Sequence, residues 1–288
     1  MMILGNRSYL CILFLISCNS LEESSKNNSF HFPTISGSTM GTTYTVKYGT
    51  KIKNNKDIQE NKNRIEEILR DINMQMSTYI SDSEISRFNT TKNIEWMDIS
   101  EDFAFVVKSS FKYYKISDGL YDITVMPLVN LWGFGPGKFL DIPTVADIDS
   151  VLSFIGQDLI EIQDHKIRKK DPRVQIDLSS IAKGYAVDKI IESLGHDNIF
   201  VEIGGEVRVK SNGKIWNIGI NTPSIDNISN EIDYIAPIEN GSIATSGNYR
   251  NFYFDRDNRF YHHEISPLTG YPIMSKLASI SVFTTTSC

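Results

Sequence analysis

The sequence predicts a single α+β domain in which helices pack on a largely antiparallel sheet. Three observations lead there. The chain has 288 residues; at roughly 150 residues per domain this allows one large unit or two small ones, and no repeat, low-complexity block or strong linker divides it. Its 41% hydrophobic and 22% charged content belongs to a folded globular chain rather than a disordered or fibrous one. Helical spacing dominates the first two-thirds, and alternating, strand-like runs dominate after Gly195.

Residues 1–17 read as a secretion signal. Arg7 supplies the positive charge, and the apolar run from Tyr9 to Ile16 falls short of the ~20 residues that span a bilayer. Leu15-Ile16-Ser17-Cys18 resembles a bacterial lipobox, where the chain is cut before the cysteine and the Cys18 thiol takes a diacylglyceryl group. An ordinary signal peptide or a buried apolar strand is the alternative; the small residue before Cys18 and the polar stretch after it favour the lipoprotein. Residues 18–30, including the polar Leu21 to Ser29, form a lipidated flexible tether, and more than one acyl chain, palmitate among them, anchors stably. The expectation is a membrane-anchored lipoprotein of the bacterial cell envelope facing outside the cytoplasm, with its folded domain over 31–288.

Thr43 to Tyr48 alternates as a half-buried strand does, fed by a small-residue turn at Gly37 to Thr42. Ile58, Ile65, Leu69 and Ile72 lie at helical spacing within Asp57 to Met76. Ser81-x-x-Glu84 is read as a capping box for a short helix. Phe103, Val106, Val107 and Phe111 give Ser100 to Ile116 an apolar face, with Gly119 soon after its end. Asp147 to Phe154 is a further helix. Ile160–Ile162 and Lys166–Arg168 form a hairpin around Asp164-His165. Val174 to Leu178 is read as a strand running into a helix over Ser180 to Leu194. Strands follow at Ile199–Ile203, Val207–Lys210, Trp216–Ile220, Tyr234–Pro237, Phe252–Asp255 and Ala278–Phe283.

Several function classes are excluded. The net charge of −6 gives no electrostatic footprint for nucleic acid. The 3 cysteines, Cys11, Cys18 and Cys288, build neither a disulfide framework nor a cysteine zinc site. There is no G-x-S-x-G, HExxH or Walker A motif. His262-His263-Glu264 lacks the spacing that chelates a metal from one helix face.

What remains is a set of polar and glycine-rich segments. Asp177 to Ala186 is a junction opening a helix, whose free N–H groups and partial positive charge suit a phosphate; Lys183 adds a full charge, although a capped helix with a solvated lysine fits equally. Gly204-Gly205 is a hairpin turn or a close approach of backbone to a ligand. Met76 to Asn89 couples Tyr79 to capping residues and could offer an aromatic platform. Gly119 to Pro136 is a ring-packing loop or a structural corner. Ala244 to Arg250 and His263 to Pro272 are read as polar turns.

In this order the stretches TMGTTYTVKY, MSTYISDSEISRFN, GLYDITVMPLVNLWGFGP, IDLSSIAKGYAVD, EIGGEVRVK, ATSGNYRNF and HHEISPLTGYP, running from Gly37 to Pro272, resemble the ApbE family of FAD:protein FMN transferases. The resemblance implies transfer of FMN from FAD to a threonine or serine hydroxyl of an acceptor flavoprotein, often in a membrane redox complex, with release of AMP. It implies FAD contacts at Met40, Tyr79, Leu120, Tyr121, Asp122, Asp177, Lys183 and Ile265, a Mg²⁺ site that includes Ser180, and His263 as the base that deprotonates the attacking hydroxyl. Hydrolysis of FAD to FMN and AMP, or flavin binding without chemistry, are the alternatives at the same site.

Two departures from the family pattern stand out. Ser266 occupies a position where many relatives carry Asp, so any ion-pairing role there is lost. The family's D-A-x-x-T segment, which supplies carboxylate and hydroxyl ligands to the metal, does not occur before Cys288. The resemblance therefore implies that the C-terminal part of the domain is missing from the sequence. Ser180 alone makes a poor site for an ion that demands near-octahedral oxygens, and the expectation is weak or absent activity for this polypeptide.

Overall fold

The computed structural model describes residues 30–51, 54–137, 141–224 and 231–288. The signal segment, Cys18 and the tether up to residue 29 lie outside the described residues. The first strands, β1 (Thr34–Thr39) and β2 (Thr42–Tyr48), form a hairpin. Met40 and Gly41 reverse the chain, both left-handed at φ 50° and 72°, which is the two-residue turn whose twist matches the strands it joins. Gly37 to Thr39 is therefore strand rather than turn, because two residues suffice for the reversal.

The apolar stripe of α1 (Asn55–Met76) buries Ile65, Leu69, Ile72 and Met76, with Ile58 packed at its margin. The short α2 (Glu84–Thr90) corrects the expected cap. Ser83, not Ser81, accepts the Ser86 N–H, and the Glu84 carboxylate accepts the backbone and hydroxyl of Ser100 instead. After β3 (Met97–Asp98), α3 (Glu101–Ile116) is capped by Ser100 and buries Phe103, Val106 and Val107. A helix that periodicity did not signal, α4 (Met126–Leu131), leads to the buried Trp132. Then α5 (Val145–Leu152) starts earlier than expected, because Thr144 and Asp147 form a reciprocal capping box.

The hairpin of β4 (Ile160–Gln163) and β5 (Lys166–Lys169) turns at Asp164, as expected, and β3 adds to its edge. Val174 to Leu178 alternates in burial as a strand would but pairs with no strand. Its backbone is held by the buried Asn89 side chain, which accepts from Ile176 N and donates to Ile176 O at 2.7 and 2.8 Å. Asp177 N donates to Ile123 O. One side-chain amide thus takes the place of a neighbouring strand at the buried Ile176. Helix α6 (Ser179–Leu194) follows and ends at the left-handed Gly195.

The remaining strands are β6 (Ile199–Ile203), β7 (Glu206–Lys210), β8 (Trp216–Asn221), β9 (Ile232–Ile238), β10 (Gly241–Gly247), β11 (Phe252–Phe254), β12 (Phe260–His262) and β13 (Ser279–Thr284). Ala244 to Gly247, expected as turn, belongs to β10, paired on one side with β7 and on the other with β13. A six-stranded antiparallel sheet of order β1-β2-β6-β7-β10-β13 organises the molecule. Ile199, Val201 and Ile203 face the core shared with α1, α3 and α6. Phe200, Val207 and Val209 face the other side, where Trp216, Ile218 and Ala236 of the β8–β9 ribbon cover them. The expected α+β class is the class observed. Among the described residues no helix is long and apolar enough to cross a membrane.

Candidate active site

Sheet register brings the turns of the hairpins to one end of the central sheet. There the Met40-Gly41 turn lies beside the Gly204-Gly205 turn that joins β6 to β7: Gly204 N donates to Thr43 O, and a Cβ on Gly204 would lie 2.7 Å from the Thr42 methyl. Both glycines have positive φ, 59° and 103°, so they supply close backbone approach that other residues could not. The Glu202 carboxylate accepts Gly205 N at 2.9 Å and braces the turn. Arg250, just beyond β10, reaches the same turn, with its Nη1 3.9 Å from where a Gly205 Cβ would stand.

The C-terminal turn of α1 is tied to this end. Asn73 Nδ2 donates to Thr39 Oγ1 at 3.0 Å, next to Met40. Tyr79, whose N–H donates to Ser77 Oγ just past that helix, leaves 72% of its surface open to solvent. Leu120 is open to 62%. Met40 is half-buried against the core, and Ile265 bridges Pro272. Tyr79 and Leu120 are thus exposed apolar groups, and Met40 and Ile265 are partly buried ones.

The N-terminus of α6 contributes the polar part. Asp177 accepts from Ser179 N and Ser179 Oγ at 2.9 and 2.7 Å, so its carboxylate serves the helix opening. Ser180 Oγ donates to the Tyr121 hydroxyl at 3.2 Å. Burial holds the Tyr121 phenol up at about 12, so it stays protonated through the working range. Asp122 is turned inward. One carboxylate oxygen accepts Thr124 N and Oγ1, the other accepts Gln157 N, and burial outweighs these bonds in raising its pKa. Asp122 thus braces the loop, and Leu120 is the part of it left at the surface. Lys183, one turn into α6, lays its ammonium on both oxygens of Glu206 at 2.7 and 3.0 Å.

His263 completes the constellation. Its Nδ1 lies 3.2 Å from the Asn251 carbonyl. A carbonyl only accepts, so Nδ1 carries the proton in the neutral ring and Nε2 keeps its lone pair. Burial lowers its pKa, and the charge of Lys183 contributes in the same direction, so the neutral, basic form prevails near neutrality. Phe134 meets the ring edge-on at 6.4 Å. The adjacent His262 does a different job: its Nδ1 accepts Glu264 N, which leaves Nε2–H to donate to Ile273 O at 2.6 Å. That ring is satisfied on both nitrogens and buried.

The Gly119 to Pro136 segment turns out to be a corner that supports this loop. Trp132 Nε1 donates to Gly270 O at 2.7 Å, and its ring stacks on Tyr261. Ser266 closes the turn by accepting Thr269 N through its hydroxyl while Gly270 N donates to its carbonyl. Sequence reasoning missed three contributors: Glu206, Asn251 and Arg250. Glu206 had a signal, the charge directly after the glycine pair. Asn251 acts through a backbone carbonyl, which no side-chain motif announces.

The arrangement was compared with known proteins. A family model described as the ApbE family matches residues 40–288. A Haemophilus influenzae protein named FAD:protein FMN transferase is 41% identical over 265 residues, covering 88% of this chain and 76% of the relative. Among solved structures, the flavin transferase ApbE from Vibrio cholerae superposes with a TM-score of 0.76 at 36% identity, covering 90% of this chain and 84% of that one. A variant of that protein with one histidine replaced by glycine superposes equally well, at 38% identity and a TM-score of 0.76, covering 89% and 83%.

Proposed function

The chain belongs to the ApbE family, and on that premise we propose that it transfers FMN from FAD to a threonine or serine hydroxyl of an acceptor flavoprotein. The observation that carries this reading is His263: a neutral imidazole with Nε2 unprotonated, on the same end of the sheet as a helix N-terminus and a lysine. Nε2 takes the proton of the acceptor hydroxyl as its oxygen attacks the phosphorus of the FMN half. The bond from that phosphorus to the bridging oxygen breaks, AMP leaves with the electron pair, and a phosphoester joins FMN to the acceptor. Negative charge grows on the phosphoryl oxygens during this step, and Lys183 together with the positive end of the α6 dipole offsets it. Met40, Tyr79, Leu120 and Ile265 receive the isoalloxazine ring.

Mg²⁺, which the resemblance implies, would supply further positive charge on the pyrophosphate. The described residues do not make its site. They contain no cluster of three or more Asp, Glu, His or Cys, and Ser180 offers one backbone carbonyl. Near-octahedral oxygen coordination needs more than Ser180 gives. The reading extends to location: a chain anchored to a membrane through lipid on Cys18, acting outside the cytoplasm on acceptors in membrane redox complexes.

Steady-state assay of the His263→Asn variant tests the proposal. Asparagine fills the site without acting as a base, so FMN transfer falls ~10²- to 10⁴-fold while FAD fluorescence titration gives an affinity close to that of the native chain. Unchanged transfer by this variant overturns the assignment.

A further inference from the structure

We propose that Glu206 is a positioning residue of flavin transfer, holding the Lys183 ammonium in the place where it meets the pyrophosphate of FAD. The proposal rests on the reading of Lys183 as a phosphate-binding group. Three features carry it. The carboxylate takes the ammonium with both oxygens, at 2.7 and 3.0 Å. The pair is mostly shielded, with side chains 28% and 15% exposed. Glu206 is the first residue of β7, fixed against Ile203 of β6 directly after the Gly204-Gly205 turn, so its carboxylate is delivered by the sheet and not by a mobile loop.

A lysine is a point charge on a flexible four-carbon stem, with three donors that can turn toward any acceptor. Left alone at the mouth of a site, Lys183 would spread over many rotamers. Glu206 occupies two N–H directions and leaves the third, with the charge, for an incoming phosphoryl oxygen. The neighbouring Glu202 has another task, bracing Gly205 N, so the two acidic groups flanking this turn divide between building it and aiming the lysine. Orientation of this kind is used in the transition state more than in initial binding. Loss of Glu206 should therefore appear in kcat rather than in the KM for FAD.

The test compares wild type, Glu206→Gln, Glu206→Asp, Lys183→Met and the double variant Glu206→Gln/Lys183→Met, by AMP release against FAD concentration with an acceptor peptide, with thermal midpoints to check folding. Glu206→Gln is expected to lower kcat roughly 10- to 100-fold, the range that misplacing a catalytic contact produces, with the KM for FAD changed less than about threefold. Glu206→Asp keeps the charge and should recover part of the loss. In the Lys183→Met background Glu206→Gln should add almost nothing. Wild-type kcat in Glu206→Gln, with Lys183→Met impaired, overturns the proposal alone. Wild-type kcat in Lys183→Met overturns the reading of Lys183 and the proposal with it. An equal loss from Glu206→Gln with and without Lys183 assigns Glu206 a structural role and also overturns it. If Glu206→Gln does not fold, Glu206→Asp carries the same comparison in both backgrounds.

Discussion

Nδ1 of His263 points at a carbonyl twelve residues earlier in the chain, and this single contact decides which ring nitrogen can act as a base. Burial then lowers the pKa of the ring. The acid limb of kcat/KM should accordingly lie below the ~6.5 of a free imidazole, and a pH–rate profile with its inflection above that value contradicts the role. The histidine itself is legible in the sequence only through the family resemblance, and its tautomer is not legible at all, because Asn251 contributes backbone rather than a motif residue. Lys169 shows the same residue-scale physics away from the site. It is 1% exposed, donates to Val174 O at 3.0 Å and lies over the Phe88 ring; burial brings its pKa down to about 8 from 10.5. A lysine whose folded pKa is depressed binds fewer protons folded than unfolded, so its cost is full below pH 8 and is relieved as pH rises toward 10.5. The stability of Lys169→Met relative to wild type should therefore decline between pH 8 and 10, by an amount on the order of 2 kcal/mol, in urea titrations at each pH; a difference flat across that window contradicts it.

Element by element, the helices and the later strands were legible, because burying one face imposes the 3.6- or 2-residue period that Ile65, Leu69 and Ile72, or Ile199, Val201 and Ile203, display. Where period and partner separate, the sequence misleads. Val174 to Leu178 has a strand's alternation because alternate side chains are buried, yet the N–H and C=O of its central Ile176 go to the Asn89 amide. Asn89→Ala should cost about 3 kcal/mol, since it strands two buried backbone groups; a denaturant midpoint equal to wild type contradicts the clamp. The cap of α2 illustrates the other failure. Ser81, Ser83 and Glu84 all suit a helix start, and the choice of Ser83 depends on Glu84 being drawn to Ser100 of the next helix, a contact sixteen residues away. Ser83→Ala should cost about 1 kcal/mol and Ser81→Ala almost nothing; the reverse order restores the original reading. Ala244 to Gly247 concealed the second half of a strand because small and polar residues carry no hydrophobic pattern, although β13 pairs with all of it.

At the scale of the whole molecule, one end of a six-stranded sheet collects the Met40 turn, the Gly204-Gly205 turn, Lys183 with Glu206, Arg250 and His263. The Met40 turn, the glycine pair, Lys183 and His263 stood in the sequence as separate motifs; their convergence did not, because the contacts that join them, Asn73 to Thr39, Tyr121 to Ser180 and Trp132 to Gly270, span 34, 59 and 138 residues. Antiparallel pairing explains why they meet. Every second connection in such a sheet returns to the same end, and the alternating direction of β1, β2, β6 and β7 brings the β1–β2 and β6–β7 turns together there. The same end offers open apolar groups for a ring and fixed positive charge for a pyrophosphate, which is the division of labour that a flavin nucleotide requires of its site. The direct test is to incubate the protein with FAD, Mg²⁺ and a threonine-containing acceptor peptide, and to measure AMP and the peptide mass together. Flavin transfer predicts AMP in equal amount to a peptide heavier by one FMN, both lost in His263→Asn. AMP with free FMN and an unmodified peptide contradicts it.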